Sequence, residues 1–170
     1  LKLNPNKVFI GCDEEDKISL SYSWVIQETD IYKMWYGSTI DWKSENGEMI
    51  HVIKYATSKD GEKWKKHGLA IPYELGKAQA FSRPTVVKDN KGYHMWFSCR
   101  SGDGTKYRIG YAHSLDGKIW DRKKNSGIEV SVDGWDSEMI CYPFVFDHKG
   151  KRYMLYNGND YGKKGFGLAV

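Results

Sequence analysis

A segment of about sixty residues repeats along this chain, and the repeat constrains the fold more than any other feature. The motif YKMWY at 32–36 recurs as YHMWF at 93–97 and more loosely as RYMLY at 152–156, with its methionines 61 and 59 residues apart. A second motif, YATSKDGEKW at 55–64, recurs as YAHSLDGKIW at 111–120. Apolar pairs at 25–26, 86–87 and 145–146 precede the first motif at the same spacing. Three landmarks in one order and at one period indicate tandem structural units.

Each unit is predicted to contain four short strands. The apolar pair lies in the first strand, the Met-Trp motif in the second and Tyr-Ala-x-Ser in the third. An Asp-Gly pair then predicts a tight hairpin, after which a fourth strand begins at Trp64 or Trp120. Seven Trp, twelve Tyr, six Phe and eighteen Gly agree with short strands joined by turns rather than with a helical bundle.

The second strand carries bulky side chains on both faces, because Met34 and Tyr36 alternate with Trp35. A sheet with one solvated face would alternate apolar and polar residues, whereas blades stacked around an axis are covered on both sides. This favours a β-propeller over a two-sheet sandwich. The predicted fold is all-β: a propeller of four-stranded antiparallel blades, about three of which are present as part of a five-bladed ring. The chain 1–170 is one partial propeller domain, with units at about 18–67, 82–124 and 141–170.

The third unit reaches Val170 within its third predicted strand. A closed propeller needs at least four blades, so the open blade faces require a cover. Two alternatives follow, namely a homo-oligomer or the missing blades of a longer chain.

Charge and cysteine content limit the other partners. The net charge of +4 is mild and the lysines form no long basic run, which favours solvated strand ends over a nucleic-acid surface. No apolar segment approaches the roughly 18 residues of a membrane span. The chain has three cysteines, Cys12, Cys99 and Cys141, which do not make a complete disulfide set. This slightly favours a reducing compartment such as the cytoplasm, although nothing else in the sequence indicates the localisation.

The Tyr-Ala-x-Ser-x-Asp-Gly-x-x-Trp blades resemble those of the arabinanase, levansucrase and invertase superfamily, which includes glycoside hydrolase families 32, 43, 62 and 68. The chain bears a closer resemblance to uncharacterised "glycosylase-like" five-bladed propellers than to those families. The shared stretches lie at 83–87, 93–98, 107–112, 134–139, 153–159 and 165–167. The resemblance implies the three C-terminal blades of such a propeller, with a saccharide bound over the central channel.

Glu138 and Asp136 are the candidate catalytic residues. They lie in Trp135-Asp136-Ser137-Glu138, just before a predicted innermost strand. Glycoside hydrolysis needs two carboxyl groups, and residues two apart on an extended segment face the same side. The alternative is that Asp136 caps a turn and Glu138 is a solvated loop acid.

Five further residues are candidate saccharide contacts: Arg83, Trp135, Tyr142, Asn157 and Asn159. A guanidinium at the channel suits a sugar carboxylate or phosphate, aromatic faces suit a pyranose, and amides bind hydroxyls. The alternative for Arg83 is a salt bridge between blades. For the two aromatic residues it is core packing, and for the two asparagines it is turn formation. His94 and His113 lie in strands without ligand-like partners, so neither a metal nor another cofactor is predicted.

The chain departs from the superfamily pattern at the positions that carry acids there. Ser82 and Cys141 occupy the slots two residues before Pro84 and Pro143, and Ser23 replaces the proline in the first unit. The resemblance implies that the nucleophilic aspartate of the superfamily belongs to a blade outside the three predicted here. A glycosidase-like protein that acts on or binds a saccharide is therefore the main hypothesis. The alternative is a non-catalytic, carbohydrate-binding or structural fragment that assembles into an oligomer.

Overall fold

A computed structural model describes residues 7–170, so the first six residues of the predicted domain lie outside the described residues. The strands are β1 (Ser19–Gln27), β2 (Tyr32–Asp41), β3 (Ile50–Ser58), β4 (Lys65–Leu69), β5 (Ala80–Asp89), β6 (Gly92–Arg100), β7 (Arg108–Ser114), β8 (Asp121–Lys123), β9 (Cys141–His148), β10 (Lys151–Asn157) and β11 (Phe166–Ala169). A short turn, α1 (Asn159–Gly162), connects β10 to β11, and two of its four residues have left-handed rather than helical dihedral angles. Within residues 7–170, no helix has the length and apolar character needed to cross a membrane.

The strands form three antiparallel meanders that correspond to the three sequence repeats. β1 to β4 make the first blade, β5 to β8 the second, and β9 to β11 a third blade with three described strands. One parallel pairing, between His51 of β3 and Ala80 of β5, links the strands of the first two blades. The prediction of an all-β chain built from antiparallel blades is confirmed.

The connection between the third and fourth strands differs from the predicted tight hairpin. Gly117 has a φ of 75°, but β8 begins at Asp121 and the loop is six residues long, from 115 to 120. Asp116 Oδ1 accepts hydrogen bonds from the backbone N–H groups of Lys118 and Ile119. The aspartate thus closes an Asx-type turn, and the fourth strand begins one residue after the predicted Trp120.

The blades pack face to face through aromatic side chains. Trp35 and Tyr55 from the first blade share one core with Tyr93 and Trp120 from the second. A second core joins the second and third blades and includes Trp96, Ile109, Val145 and Met154. On the opposite face of β2, Met34 and Tyr36 pack with Ala56 and with Ile10 from the segment before β1. Both faces of β2 are therefore covered, as the alternation of bulky residues predicts.

Candidate functional site

Each innermost strand carries a β-bulge at the same place in its blade. Two residues lie opposite one residue of the neighbouring strand, at 22–23 in β1, 83–84 in β5 and 142–143 in β9. The first residue of each bulge has a positive φ although it is not glycine: 50° at Tyr22, 50° at Arg83 and 58° at Tyr142. Such strained residues cluster at ligand-binding and catalytic sites, so the three bulges mark the candidate site.

The three bulge side chains converge, because the Arg83 guanidinium lies between two tyrosine rings. Its Cζ is 4.9 Å from the centroid of the Tyr22 ring and 4.3 Å from that of Tyr142. Both distances are in the range of cation–π attraction. Among the described residues Arg83 forms no ion pair, so the structure does not contain the salt bridge that sequence reasoning left open. Arg83 is exposed.

A cavity of about 450 Å³, here called the channel cavity, lies beside these bulges. Its aromatic wall consists of Tyr22, Trp42, Tyr107, Tyr142 and Tyr161. Its polar wall consists of Ser19, Ser21, Thr39, His51 and Ser82. Aromatic faces combined with a few convergent hydroxyl groups are typical of sites for small polar ligands.

Tyr161 reaches the cavity from an unusual backbone turn. Asp160 and Tyr161 within α1 have φ of 53° and 58°, and the Asn157 Nδ2 donates a 2.8 Å hydrogen bond to the Tyr161 carbonyl. The Tyr161 ring stacks on Tyr142, with 6.0 Å between the centroids and 27° between the planes. The turn therefore continues the aromatic wall that the Tyr142 bulge begins.

His51 in β3 lies at the base of the cavity and is 7% exposed. Its Nδ1 is 2.5 Å from the Phe81 carbonyl oxygen and its Nε2 is 3.0 Å from Ser21 Oγ. Because a carbonyl only accepts, Nδ1 carries the proton and Nε2 accepts from the Ser21 hydroxyl. Burial lowers the pKa of His51 below its usual value, because it outweighs the hydrogen bond to the Phe81 carbonyl, which by itself would raise the pKa. The imidazole is thus neutral at neutral pH.

The structure places the predicted catalytic acids outside the channel cavity. Glu138 is exposed and forms an ion pair with Lys106, whose hydrogen bond lowers the pKa of Glu138. Asp136 is buried and accepts a 2.8 Å hydrogen bond from Tyr156 Oη. A glycosidase acid needs a raised pKa, so an ionised Glu138 suits the part of a base or nucleophile. Their catalytic role stays a prediction.

Three of the predicted saccharide contacts take part in local structure around the loop before β9. Trp135 stacks on Tyr156, with 5.5 Å between the ring centroids. Asn159 Oδ1 accepts hydrogen bonds from the backbone N–H groups of Glu138 and Met139, at 2.8 and 3.0 Å. Asn157 holds the Tyr161 turn. Their roles in ligand binding also stay predictions.

The structure thus brings together Arg83 and Tyr142, whereas neither Glu138 nor Asp136 lines the channel cavity. Sequence reasoning missed His51, Ser21, Tyr107 and Tyr161 as site residues. The internal repeat carried a usable signal for Tyr22, which occupies the position of Arg83 and Tyr142 in its own unit. Within residues 7–170, no group of three or more His, Cys, Asp or Glu side chains converges as a metal site would require.

The chain is similar to proteins of known sequence and of known structure. No protein-family model matches the chain. Two uncharacterized proteins of Mycobacterium tuberculosis, from strains CDC 1551 / Oshkosh and ATCC 25618 / H37Rv, are each 50% identical to it over 163 residues. These matches cover 95% of this chain and 54% of each relative, so the chain spans about half the length of the curated relatives it matches.

Several solved structures that superimpose on this chain are glycoside hydrolases. A family 117 glycoside hydrolase from Zobellia galactanivorans superimposes with a TM-score of 0.70 at 23% identity, over 88% of this chain and 50% of that one. A protein described as a glycoside hydrolase gives a TM-score of 0.76 at 18% identity, over 96% and 50% of the two chains. The GH32 β-fructofuranosidase of Bombyx mori gives 0.67 at 17% identity, over 92% and 34%. The fold is a β-propeller fold. At these identities the likeness establishes architecture, and function rests on the site.

Proposed function

We propose that this chain is part of a carbohydrate-active, glycosidase-like propeller and binds a saccharide in the channel cavity. The observation that carries the proposal is the convergence of three strained bulge residues, Tyr22, Arg83 and Tyr142, beside a cavity walled by aromatic rings and hydroxyl groups. Sugars present apolar ring faces and polar rims, which match such a lining. The glycoside hydrolases of the same fold support the choice of ligand class.

Arg83 gives the proposed site a preference for acidic sugars. Its guanidinium is held between two rings without an ionic partner among the described residues, so its N–H donors are free for a carboxylate or phosphate group. We therefore expect uronic acids or sugar phosphates to bind more tightly than the neutral sugars of the same shape.

Saccharide binding is tested by titration calorimetry and saturation-transfer NMR with matched neutral and acidic sugars. Tyr142→Ala should weaken the binding of both classes, because it removes an aromatic surface, whereas Arg83→Gln should weaken only that of the acidic class. Tyr153→Ala is the matched control, since Tyr153 stacks on Phe146 away from the channel cavity. Equal losses in all three variants, or no saturable binding of any sugar by the wild type, would contradict the proposal.

Cleavage by Glu138 and Asp136 is the second candidate activity, supported by the glycoside hydrolases that share the fold. Wild type and Glu138→Gln should be compared on a panel of aryl glycosides. Turnover that Glu138→Gln abolishes would support glycosidase activity. Saturable sugar binding without turnover would favour a binding module.

We further propose that a second copy of the chain, or further blades of a longer chain, covers β11. Phe166 and Leu168 of this strand are 71% and 56% exposed. Within residues 7–170 the outer edge of β11 has no strand partner, whereas the third strand of each of the first two blades is paired with a fourth strand. The greater length of the curated relatives supports the longer-chain alternative.

A further inference from the structure

Ser21 and His51 form a hydrogen-bonded pair on the polar wall of the channel cavity. The hydroxyl lies 3.0 Å from His51 Nε2, and the other ring nitrogen is fixed by the carbonyl of Phe81. A hydroxyl, a neutral imidazole and a group that orients the imidazole are the three parts of an activated serine nucleophile. Here a backbone carbonyl supplies the orienting acceptor.

The backbone opposite Ser21 leaves room for this pair only because residue 37 is glycine. A Cβ at Gly37 would lie 2.5 Å from His51 Cε1 and 2.6 Å from Ser21 Oγ. In the second blade the corresponding residue of β6 is Ser98, whose hydroxyl accepts a hydrogen bond from the Tyr142 N–H at 2.7 Å. The imidazole therefore occupies, in the first blade, the space that a serine side chain fills at the next interface.

A second hydroxyl completes the arrangement. Ser82, which follows Phe81 in β5, is 6% exposed and lines the same cavity. Its Oγ has no hydrogen-bond partner among the described residues, although buried hydroxyl groups are almost always bonded. A hydroxyl without a protein partner, in the lining of the cavity that Ser21 also lines, has a donor available for a developing oxyanion.

We propose that Ser21 is a nucleophile for carboxylic esters, with His51 as its general base and the Ser82 hydroxyl as an oxyanion donor. Ser21 Oγ would bond to the acyl carbon while its proton passes to His51 Nε2. The C–O bond to the alcohol then breaks, and the alcohol oxygen takes that proton from Nε2. Water, deprotonated by Nε2, next attacks the acyl-serine; the carboxylic acid leaves and Ser21 Oγ regains a proton.

The proposal rests on the proposed function only for the identity of the alcohol, which would be an O-acylated sugar held against the aromatic wall. Ester chemistry at Ser21 is measurable without a sugar. Failure of the esterase proposal and failure of saccharide binding are therefore distinguishable.

The test uses diisopropyl fluorophosphate and p-nitrophenyl acetate on the chain. We expect one phosphoryl adduct per folded chain, located at Ser21 by peptide mass spectrometry and absent when the protein is labelled in urea. Ser21→Ala should lower p-nitrophenyl acetate hydrolysis at least about 100-fold, and His51→Gln should lower labelling by a similar factor.

Thr57 and His67 provide a matched control, because Thr57 Oγ1 lies 2.8 Å from His67 Nε2 outside the channel cavity. Thr57→Val and His67→Gln should leave labelling and hydrolysis unchanged. An adduct at another residue, labelling that survives unfolding, or hydrolysis that Ser21→Ala retains would overturn the proposal. Because adduct location is read on the wild type, the result stands even if His51→Gln fails to fold.

Discussion

The indole Nε1 of Trp35 in the first blade donates a 2.9 Å hydrogen bond to the carbonyl of Gly117 in the second. The same carbonyl accepts a 3.0 Å bond from Trp120 Nε1. The Asx-type turn that contains Gly117 therefore serves as a docking point between blades. This contact gives a structural reason for the Trp of β2 and for the Asp-Gly turn of the following blade.

Trp35→Phe should destabilise the chain by about 2 kcal/mol, from lost ring packing and one lost hydrogen bond. The Gly117 carbonyl keeps its bond from Trp120, which limits the loss. Urea unfolding followed by far-UV circular dichroism measures the effect. Trp42→Phe is the control because Trp42 is 60% exposed, and an equal loss in that variant would contradict the docking role.

Asp16 should make the free energy of unfolding depend on pH in the acidic range. Its side chain is buried among Lys54 Nζ at 2.8 Å, Lys66 Nζ at 2.6 Å and the hydroxyls of Tyr36 and Ser38. Burial by itself raises the pKa of Asp16, but the lysine and serine hydrogen bonds hold it at about 2, below the unfolded value of 3.8. The stabilisation is thus fully present above pH 3.8 and disappears as the pH falls through that value towards about 2.

Comparison with Asp16→Asn isolates this group from the other carboxylates. Near pH 7 the variant should lose about 3 kcal/mol of unfolding free energy, because two lysines lose their buried partner. The difference from wild type should shrink as the pH falls from about 4 to about 2. Asp133→Asn, in an exposed loop, should show no such trend. A difference that stays constant with pH would refute the assignment.

Gly37→Ala should disrupt the Ser21 and His51 pair. The new methyl group would lie 2.5 Å from the imidazole, so the ring must move, at a cost of about 1–3 kcal/mol in unfolding free energy. NMR should show a shifted His51 Cε1–H resonance. Gly11→Ala is the control, as its Cβ would meet one Val8 methyl group at 3.3 Å. An unchanged His51 resonance would mean that the contact is absent in solution.

The fold was predictable from sequence because each copy of the repeat corresponds to one blade. The Met-Trp strand, the Tyr-Ala-x-Ser strand and their order all lie where the period places them. The turn after Ser114 was harder, since an Asp-Gly pair fits both a two-residue hairpin and a longer Asx-type turn. Hydrogen bonds from Lys118 and Ile119 to Asp116 select the second, and only coordinates show them.

Site residues were predictable only at positions where the aligned repeat units differ from one another. Arg83 and Tyr142 occupy positions that vary between otherwise similar units, and their bulges turn them towards one another. His51 gave no signal, because its role depends on an acceptor in the next blade, at Phe81. Glu138 was attractive as an acid near an innermost strand, but sequence does not reveal its ion pair with Lys106.

The exposed apolar side chains of β11 should make the chain self-associate. Phe166 is 71% and Leu168 is 56% exposed on a strand whose outer edge is unpaired within the described part of the chain, and such edges favour association. Sedimentation velocity should show a species larger than 19.6 kDa that dissociates on dilution. The double variant Phe166→Ser and Leu168→Ser should shift it to monomer, whereas Leu115→Ser, at an exposed turn of the second blade, should not. A wild type that is monomeric at every concentration would favour coverage of β11 by further blades of a longer chain over a second copy.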